Sequence, residues 1–379
     1  MKRVFFRLSK SLLFYIIRYF NRRMMIRDFK EMLANNPELH NSRVDGEDVY
    51  MEKWKKLDKK VSPLSYRIYS PFIGRSANIL PPDVSRVYIE PILNPGDTEK
   101  FYNDKNSFGL IYDKNDMPLV YFRSMSYRFF DGDYNAVLRE DFLKCFDGVN
   151  KLVVKPAKDL GGHGIEFFER NSDNIFVSLD GNILSLEYLE RIFETDFLIQ
   201  ECFVQSDALS RFNPTSVNTI RVITYRNVET GEIHVLGAVL RIGFKGAVVD
   251  NATAGGGFIG INGDGKLGHY VFDKYARKTS LFNGKDFLKE EYIIPNYKQV
   301  KQFAVKVSKR IPHMGLFAHD IALDKFNTPK LIEVNTRCFT DYFLQLTHTP
   351  VFDKYTDSLI KYCIAHKDKI GLSIIETCK

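Results

Sequence analysis

Tryptophan is nearly absent from this chain, one residue in 379, although phenylalanine (31) and tyrosine (20) are plentiful. Nowhere do 18 apolar residues follow one another, so no transmembrane helix is expected. The five cysteines, Cys145, Cys202, Cys338, Cys363 and Cys378, are scattered, odd in number and without CxxC or Cys/His spacing. That argues against a disulfide framework or structural zinc and points to a reduced, cytoplasmic setting. No GK[ST] triplet follows a glycine loop, which excludes a Walker A site. Internal repeats and low-complexity tracts are missing too. So is a basic body. Residues 1–30 hold nine basic side chains against Asp28 alone, which leaves 45 basic and 46 acidic residues in the rest. With no nucleic-acid motif either, a nucleic-acid partner is not expected.

What is present, 44% hydrophobic and 14% aromatic residues, describes a globular chain long enough for two or three packed units. Its organising stretch is 315–337, GLFAHDIALDKFNTPKLIEVNTR. This reads as two strands, Gly315 to Leu323 and Leu331 to Asn335, joined by the turn DKFNTP. Alternation in the second strand puts Leu331, Glu333 and Asn335 on one face and Ile332 and Val334 on the other. A hairpin centred on Phe326–Asn327 sets Asp320 directly opposite Glu333, at a separation of about 4.5–5.5 Å. Two carboxylates that close repel unless a cation lies between them. With the amide oxygen of Asn335 on the same side and no Cys or His, the donor set suits Mg²⁺ or Mn²⁺. The alternative is a surface hairpin with solvated acids.

Residues 1–35 read as a basic amphipathic helix, either packed on the body or lying on an anionic membrane face. Arg18 breaks its apolar stretch and no cleavage site follows, against a signal peptide. Residues 36–60 suggest a loop and then a helix. The prolines at 63, 71, 81, 82, 91 and 95 suggest extended, turn-rich chain with one strand, SRVYIEPIL (85–93). A short helix containing Lys105 is expected over 98–112, then a strand (PLVYFRSM) and a helix near 135–146. KLVVKPAKDLGGHGIEFFER (151–170) reads as a β-hairpin whose glycine tip, Gly161, Gly162 and Gly164, exposes backbone N–H groups to phosphate oxygens, with Lys155 at the end of its first strand. An ordinary turn is the competing reading. After a helix at 183–195, FLIQECFV (197–204) is a buried strand. The strands SVNTIRVITYRN (216–227) and IHVLGAVLRIG (233–243) are central sheet, and Arg221 and Arg241 inside them need anionic partners. A second glycine loop spans 248–268. Helices are expected at 296–311 and 350–369.

This order resembles the ATP-grasp superfamily, and most closely its sugar-transfer-associated members. It runs from a lysine in a helix, through a lysine before a glycine hairpin, a hinge strand, arginine-bearing sheet and a second glycine loop, to Asp…Glu-x-Asn. The SVNTIR strand, Ser216 to Arg221, is among the hallmarks. D-alanine–D-alanine ligases and ribosomal-protein glutamate ligases resemble it more distantly. The resemblance implies an α+β fold in which two subdomains clasp ATP. It divides the chain into the helix 1–35, an N-terminal region 36–117, a lid subdomain 118–204 and a C-terminal subdomain 205–379 with the metal site. By position it implies that Lys105 and Lys155 hold the α- and β-phosphates and that Gly161, Gly162 and Gly164 cover them. Glu201, Phe203 and Val204 would form the adenine hinge, and Asp207 would face the ribose. Asp320, Glu333 and Asn335 would bind Mg²⁺ or Mn²⁺. Arg241, Asn251 and the loop Gly255, Gly256 and Gly257 would face the γ-phosphate and acceptor, with Asn218 and Arg337 beside them. One departure stands out: many relatives carry an arginine two residues before the metal aspartate, where this chain has Ala318. Arg241, Arg221 or His319 would then stabilise the transferred phosphoryl group.

The implied activity is an ATP-dependent carboxylate–amine ligation through an acyl phosphate, on a small or lipid-linked sugar acid or amino acid of a surface polysaccharide such as capsule. Cofactors would be ATP and Mg²⁺, and the setting cytoplasmic or peripheral at the inner membrane face through residues 1–30. A phosphotransferase acting on a sugar hydroxyl and a non-catalytic nucleotide-binding adaptor are the alternatives. A homodimer is an open reading.

Overall fold

The computed structural model describes residues 2–158, 164–251, 255–337 and 342–367. Two antiparallel sheets dominate. The first contains β1 (Val120–Met125), β2 (Arg128–Asp131), β3 (Lys151–Pro156), β4 (Glu166–Arg170), β5 (Phe176–Ser178) and β6 (Phe197–Glu201), in the order β2-β1-β6-β3-β4-β5. The expected hairpin across the first glycine tip is present, Lys151 facing Glu169 and Val154 facing Glu166. β6 lies between β1 and β3, so its apolar run FLI is buried on both faces.

The second sheet collects β7 (Ile220–Arg226), β8 (Ile233–Ile242), β9 (Gly257–Gly260), β10 (Val271–Phe272), β11 (Lys278–Thr279), β14 (Leu316–Leu323) and β15 (Pro329–Asn335), in the order β11-β10-β9-β8-β7-β14-β15. A small ribbon, β12 (Leu281–Phe282) with β13 (Lys285–Asp286), stands apart. The two faces of the large sheet serve two cores. Val222, Leu240, Phe317 and Ile321 pack under the helix Tyr297–Lys309, whose Val300, Ala304 and Val307 are buried there. Ile223, Tyr225, Val239 and Ala318 turn the other way, into a core shared with the N-terminal helices and the helix Thr356–His366. This strict alternation puts Arg221, Arg241 and Asp320 on the second face as well.

The N-terminal third is helical. Lys2–Asn35 forms one long helix and Glu47–Lys55 a second. The proline-rich stretch corrects the sequence expectation: Leu64–Ile73 is a helix that contains Pro71. The expected strand 85–93 is helical too, running through Pro82–Val84, a π turn Ser85–Ile89 and Glu90–Leu93. Val84, Val87, Tyr88 and Ile89 are buried on all sides, so alternation carries no information there. Pro82 sits in the first turn, where its missing N–H costs nothing. The wide turn precedes Pro91, which would interrupt a regular ladder. Asn94 then clamps this segment to the central hairpin: its Oδ1 accepts from the N–H groups of Gly315 (2.9 Å) and Leu316 (3.0 Å), and its Nδ2 donates to the Leu316 carbonyl (2.7 Å).

Three further expectations change. The helix over 98–112 breaks at Asp104, whose carboxylate accepts from the Asn106 N–H. Lys105 therefore opens a short 3₁₀ turn instead of lying inside a helix. The segment near 135–146 is 3₁₀ over Arg139–Phe146. Gly257, read as loop, opens β9 opposite Ile242.

Candidate active site

The central hairpin is the predicted one, with one alteration. Its turn is centred on Phe326, with Leu323 opposite Pro329, which alone would set Asp320 against Ile332; Asp320 faces Glu333 because the register shifts between them. A β-bulge follows: Ile321 pairs with Leu331, which leaves Ile332 as the extra residue. Leu331 consequently packs beside Val334 in the core under the helix Tyr297–Lys309, not on the face of Glu333 as simple alternation predicts. Glu333, Asp320, Arg221 and Val239 line up as one row across four strands.

The row is an ionic cluster. Asp320, 2% exposed, accepts from Arg221 through both guanidinium arms, Nε at 2.8 Å and Nη2 at 2.7 Å, and from Arg241 Nη1 at 2.9 Å. Burial pushes its carboxyl upward, but the two arginines outweigh that and hold it below the usual carboxylate range. Arg241 reaches on to Asp250, Nη2 to Oδ1 2.9 Å. Burial opposes its charge, while Asp250, Asp320 and Glu333 keep its pKa above the ordinary value. Asp250, raised by burial despite Arg241, also accepts from the Thr219 N–H at 3.0 Å. Arg221 and Arg241 have thus found the anionic partners that strand-interior arginines require. Asp250 was missed in the sequence; its signal is the acid preceding Asn251 at the start of the glycine loop.

Two lysines come from the side of the first sheet, Lys105 from the 3₁₀ turn beside it and Lys155 from β3. Lys105 Nζ lies 2.9 Å from Glu333 Oε1, and its backbone N–H donates to the Ala157 carbonyl just beyond β3, also at 2.9 Å. Lys155, half-buried near the end of β3, is pulled down to about 7, first by burial, then by the charge of Lys105, with Glu333 opposing. Lys105, Arg221 and Arg241 therefore balance the three carboxylates Asp250, Asp320 and Glu333, and Lys155 is left to gain its charge beside an incoming anion.

The donor set was tested against a divalent cation. Asn335 donates through Nδ2 toward the Ala318 carbonyl (3.5 Å) and Asp320 Oδ2 (3.4 Å), so its amide lies beside the Asp320 carboxylate with the nitrogen facing it. Among the described residues no three His, Cys, Asp or Glu side chains gather as a metal cluster. Two carboxylates and a side-chain amide are hard oxygen donors, of the kind that suits Mg²⁺.

The remaining candidates are dispersed. Glu201 ends β6; its N–H donates to the Leu119 carbonyl (2.8 Å) and its Oε1 accepts from the Leu119 N–H (2.9 Å). Phe203 is half-buried, Val204 and Asp207 are exposed, and the Ser206 N–H donates to the Leu323 carbonyl at 2.9 Å, so this segment crosses from one sheet to the other. Arg337 pairs with Glu99, on the helix Gly96–Asn103. Gly161 and Gly162 lie outside the described residues, whereas Gly164 and Gly255 have positive φ, 68° and 87°. Asn251 accepts from the Gly256 N–H through its backbone carbonyl at 3.1 Å.

Two candidates are corrected. Asn218 is fully buried and spends its Nδ2 on the carbonyls of Leu209 (3.0 Å) and Asn213 (2.8 Å), so it braces the turn before β7 and faces no substrate. His319 lies on the other face from Asp320, its Nε2 2.7 Å from Ser308 Oγ. Burial drives it down to about 3, against the pull of Asp320. A neutral imidazole on the wrong face cannot stabilise a phosphoryl group.

The model of the family described as sugar-transfer associated ATP-grasp matches residues 86–357, well over half of the chain. The chain belongs to this family. ATP-grasp proteins bind ATP with Mg²⁺, and they are typically ATP-dependent carboxylate–amine ligases. Solved structures similar to this ATP-grasp chain include an N5-carboxyaminoimidazole ribonucleotide synthetase from Thermotoga maritima (15% identity, 71% of this chain and 50% of that one, TM-score 0.36). A D-alanine–D-alanine ligase from Bacillus anthracis (14%, 72% and 70%, 0.36) and a biotin carboxylase from Campylobacter jejuni (12%, 72% and 48%, 0.41) are others. The match spans half the length of the Thermotoga synthetase. At such scores these likenesses carry no argument. A comparison with curated proteins finds no match.

Proposed function

We propose that the chain is an ADP-forming ligase that joins a carboxylate to an amine through an acyl phosphate. Its substrate on this reading is a sugar acid or amino acid, free or lipid-linked, used in surface polysaccharide synthesis in the cytoplasm. The observation that carries the proposal is the ion pair of Lys105, on the 3₁₀ turn held against the end of β3, with Glu333 of the second sheet. The gathered lysines and arginines support triphosphate binding, and the family description supports a sugar-related substrate.

Lys105 and Lys155 hold phosphate oxygens of ATP, and Lys155 gains its full charge as the anion arrives. Asp320, Glu333 and Asn335 would hold Mg²⁺, which would supply positive charge against the phosphate oxygens. Arg221 and Arg241 fix Asp320 in one rotamer, and Arg241 is the guanidinium placed to meet the transferred phosphoryl group. A carboxylate oxygen of the substrate attacks the γ-phosphorus and ADP leaves. The amine nitrogen then attacks the acyl carbon, phosphate departs, and the nitrogen loses a proton.

ATP turnover with hydroxylamine and a panel of uronic and amino acids tests this. ADP together with a hydroxamate from one acid, both lost in Glu333→Gln, is the expected result. ADP with a stable phosphate ester and no hydroxamate would establish a phosphotransferase instead. ATP binding that survives Glu333→Gln, with no ADP formed from any free or lipid-linked acid, would point to an adaptor instead.

A further inference from the structure

The long N-terminal helix has two apolar faces, and only one is used by the fold. Ile17, Asn21, Met25, Phe29 and Met32 recur every three or four residues and are buried against the body. On the opposite side Leu12, Tyr15, Ile16 and Tyr19 follow the same spacing, with Phe20 beside them, and all five are solvent-exposed; Leu12 is 62% and Tyr15 58% accessible. A row of exposed aromatic and aliphatic side chains on a helix already docked on its other side does nothing for folding.

Its surroundings are basic. Arg23 lies on the Tyr19 ring, 5.7 Å from the centroid, and Lys60 on the Tyr15 ring at 5.9 Å. Exposed Lys55, Lys56 and Lys59 adjoin Lys60, on the loop that Arg18 ties to the helix through its pair with Asp58. Asp58 is itself buried, so this pair adds no negative charge to the surface. Farther along, Arg27 pairs with Asp28. No helix among the described residues is long and apolar enough to cross a membrane.

We infer that this face of the helix is a peripheral docking surface for an anionic lipid bilayer. Tyr and Phe rings seat at the headgroup boundary while lysine and arginine chains, carrying their charge beyond the rings, meet lipid phosphates and carboxylates. A second copy of the chain fits poorly. Self-pairing through a two-fold axis would bring the basic patch of Arg23, Lys59 and Lys60 onto the same face of a second copy, like charge near like charge.

Sedimentation of the full-length protein with vesicles of phosphatidylcholine alone, or with about 30% phosphatidylserine, tests the inference. Binding is expected only to the anionic vesicles, and it should fall as salt rises from about 0.1 to 0.5 M, where screening shortens to a few ångströms. Lys59→Ala with Lys60→Ala should weaken it about 25-fold, roughly fivefold per charge. Tyr15→Ser with Phe20→Ser should weaken it at every salt concentration. Both double variants touch only exposed side chains, and unchanged thermal unfolding would verify their fold. Equal binding to neutral and anionic vesicles would overturn the proposal. So would no binding to either, accompanied by a concentration-dependent dimer that Tyr15→Ser/Phe20→Ser dissolves, since a second copy would then cover the face.

Discussion

Lys105 and Glu333, 228 positions apart in sequence, meet with Nζ and Oε1 at 2.9 Å and tie the 3₁₀ turn beside β3 to β15 across the candidate site. Each is largely enclosed, with side-chain exposures of 10% and 18%. Removing the ammonium strands a carboxylate beside Asp320. We therefore expect Lys105→Met to cost about 1–3 kcal/mol of stability and to weaken ATP binding at least tenfold, on the order of one charge-assisted phosphate contact. Lys105→Arg should restore stability more fully than affinity, because a guanidinium preserves the pair but not the point charge. Calorimetric unfolding and nucleotide titration on the same samples separate the two effects.

Lys155 makes nucleotide binding pH-dependent. Its pKa of about 7, set by burial and then by Lys105, leaves it largely neutral at pH 8. A phosphate anion beside it raises that pKa, so binding takes up a proton. Affinity is then greatest below pH 7 and declines as pH rises from 7 toward the bound-state value. Calorimetric titrations at pH 8 in buffers of different ionisation enthalpy should show uptake of close to one proton. Lys105→Met, which removes the repulsion, should move the midpoint upward and reduce that uptake.

The parts of this site that could be read from the sequence are those governed by period and spacing. Turn chemistry brings Asp320 and Glu333 close on paired strands, although the bulge at Ile332 sets their direct opposition, and alternation along β7 and β8 puts Arg221 and Arg241 on one face. What was illegible depends on contacts between distant segments. Asp250 becomes the partner of Arg241 only when the glycine loop folds back, and nothing local distinguishes it from a solvated acid. The bulge at Ile332 reverses the face of Leu331 without any glycine or proline to announce it. The helix at 82–93 is buried all round, so β-branched residues there mimic a strand. Asn218 lies in a family hallmark, yet its side chain is consumed by carbonyls nine and five residues upstream.

Asp83 is a built-in liability of that helical region. It is 3% exposed, its Oδ1 has no hydrogen-bond partner, and burial raises its pKa to about 6 despite Arg22. The ordinary value is 3.8, so between 3.8 and 6 the folded state binds more protons than the unfolded state and stability falls as pH rises. Above pH 6 the full penalty is present, on the order of 2–3 kcal/mol. Asp83→Asn, neutral throughout, should therefore raise the melting temperature at pH 7.5 and leave it almost unchanged near pH 4. Equal gains at both pH values would show that the charge is not the cause.

Gly256 gives the sharpest steric test of the second glycine loop. A Cβ there would stand 2.8 Å from the Ile242 carbonyl oxygen and 2.9 Å from those of Asn251 and Asp250. All three contacts are with backbone, so no side chain can rotate away. The strand β8, the loop start and the segment holding Asp250 would have to separate, and Asp250 would be drawn off Arg241. We expect Gly256→Ala to cost at least about 2–3 kcal/mol and to lower turnover beyond what the stability loss explains, since Arg241 would lose one of its two anchors. Gly263→Ala is the control: no atom lies within 4 Å of its Cβ position and its φ is not in the positive range. It should change neither property. If Gly256→Ala melts like the parent but turnover still falls, the glycine is needed for a close approach of substrate and not for packing.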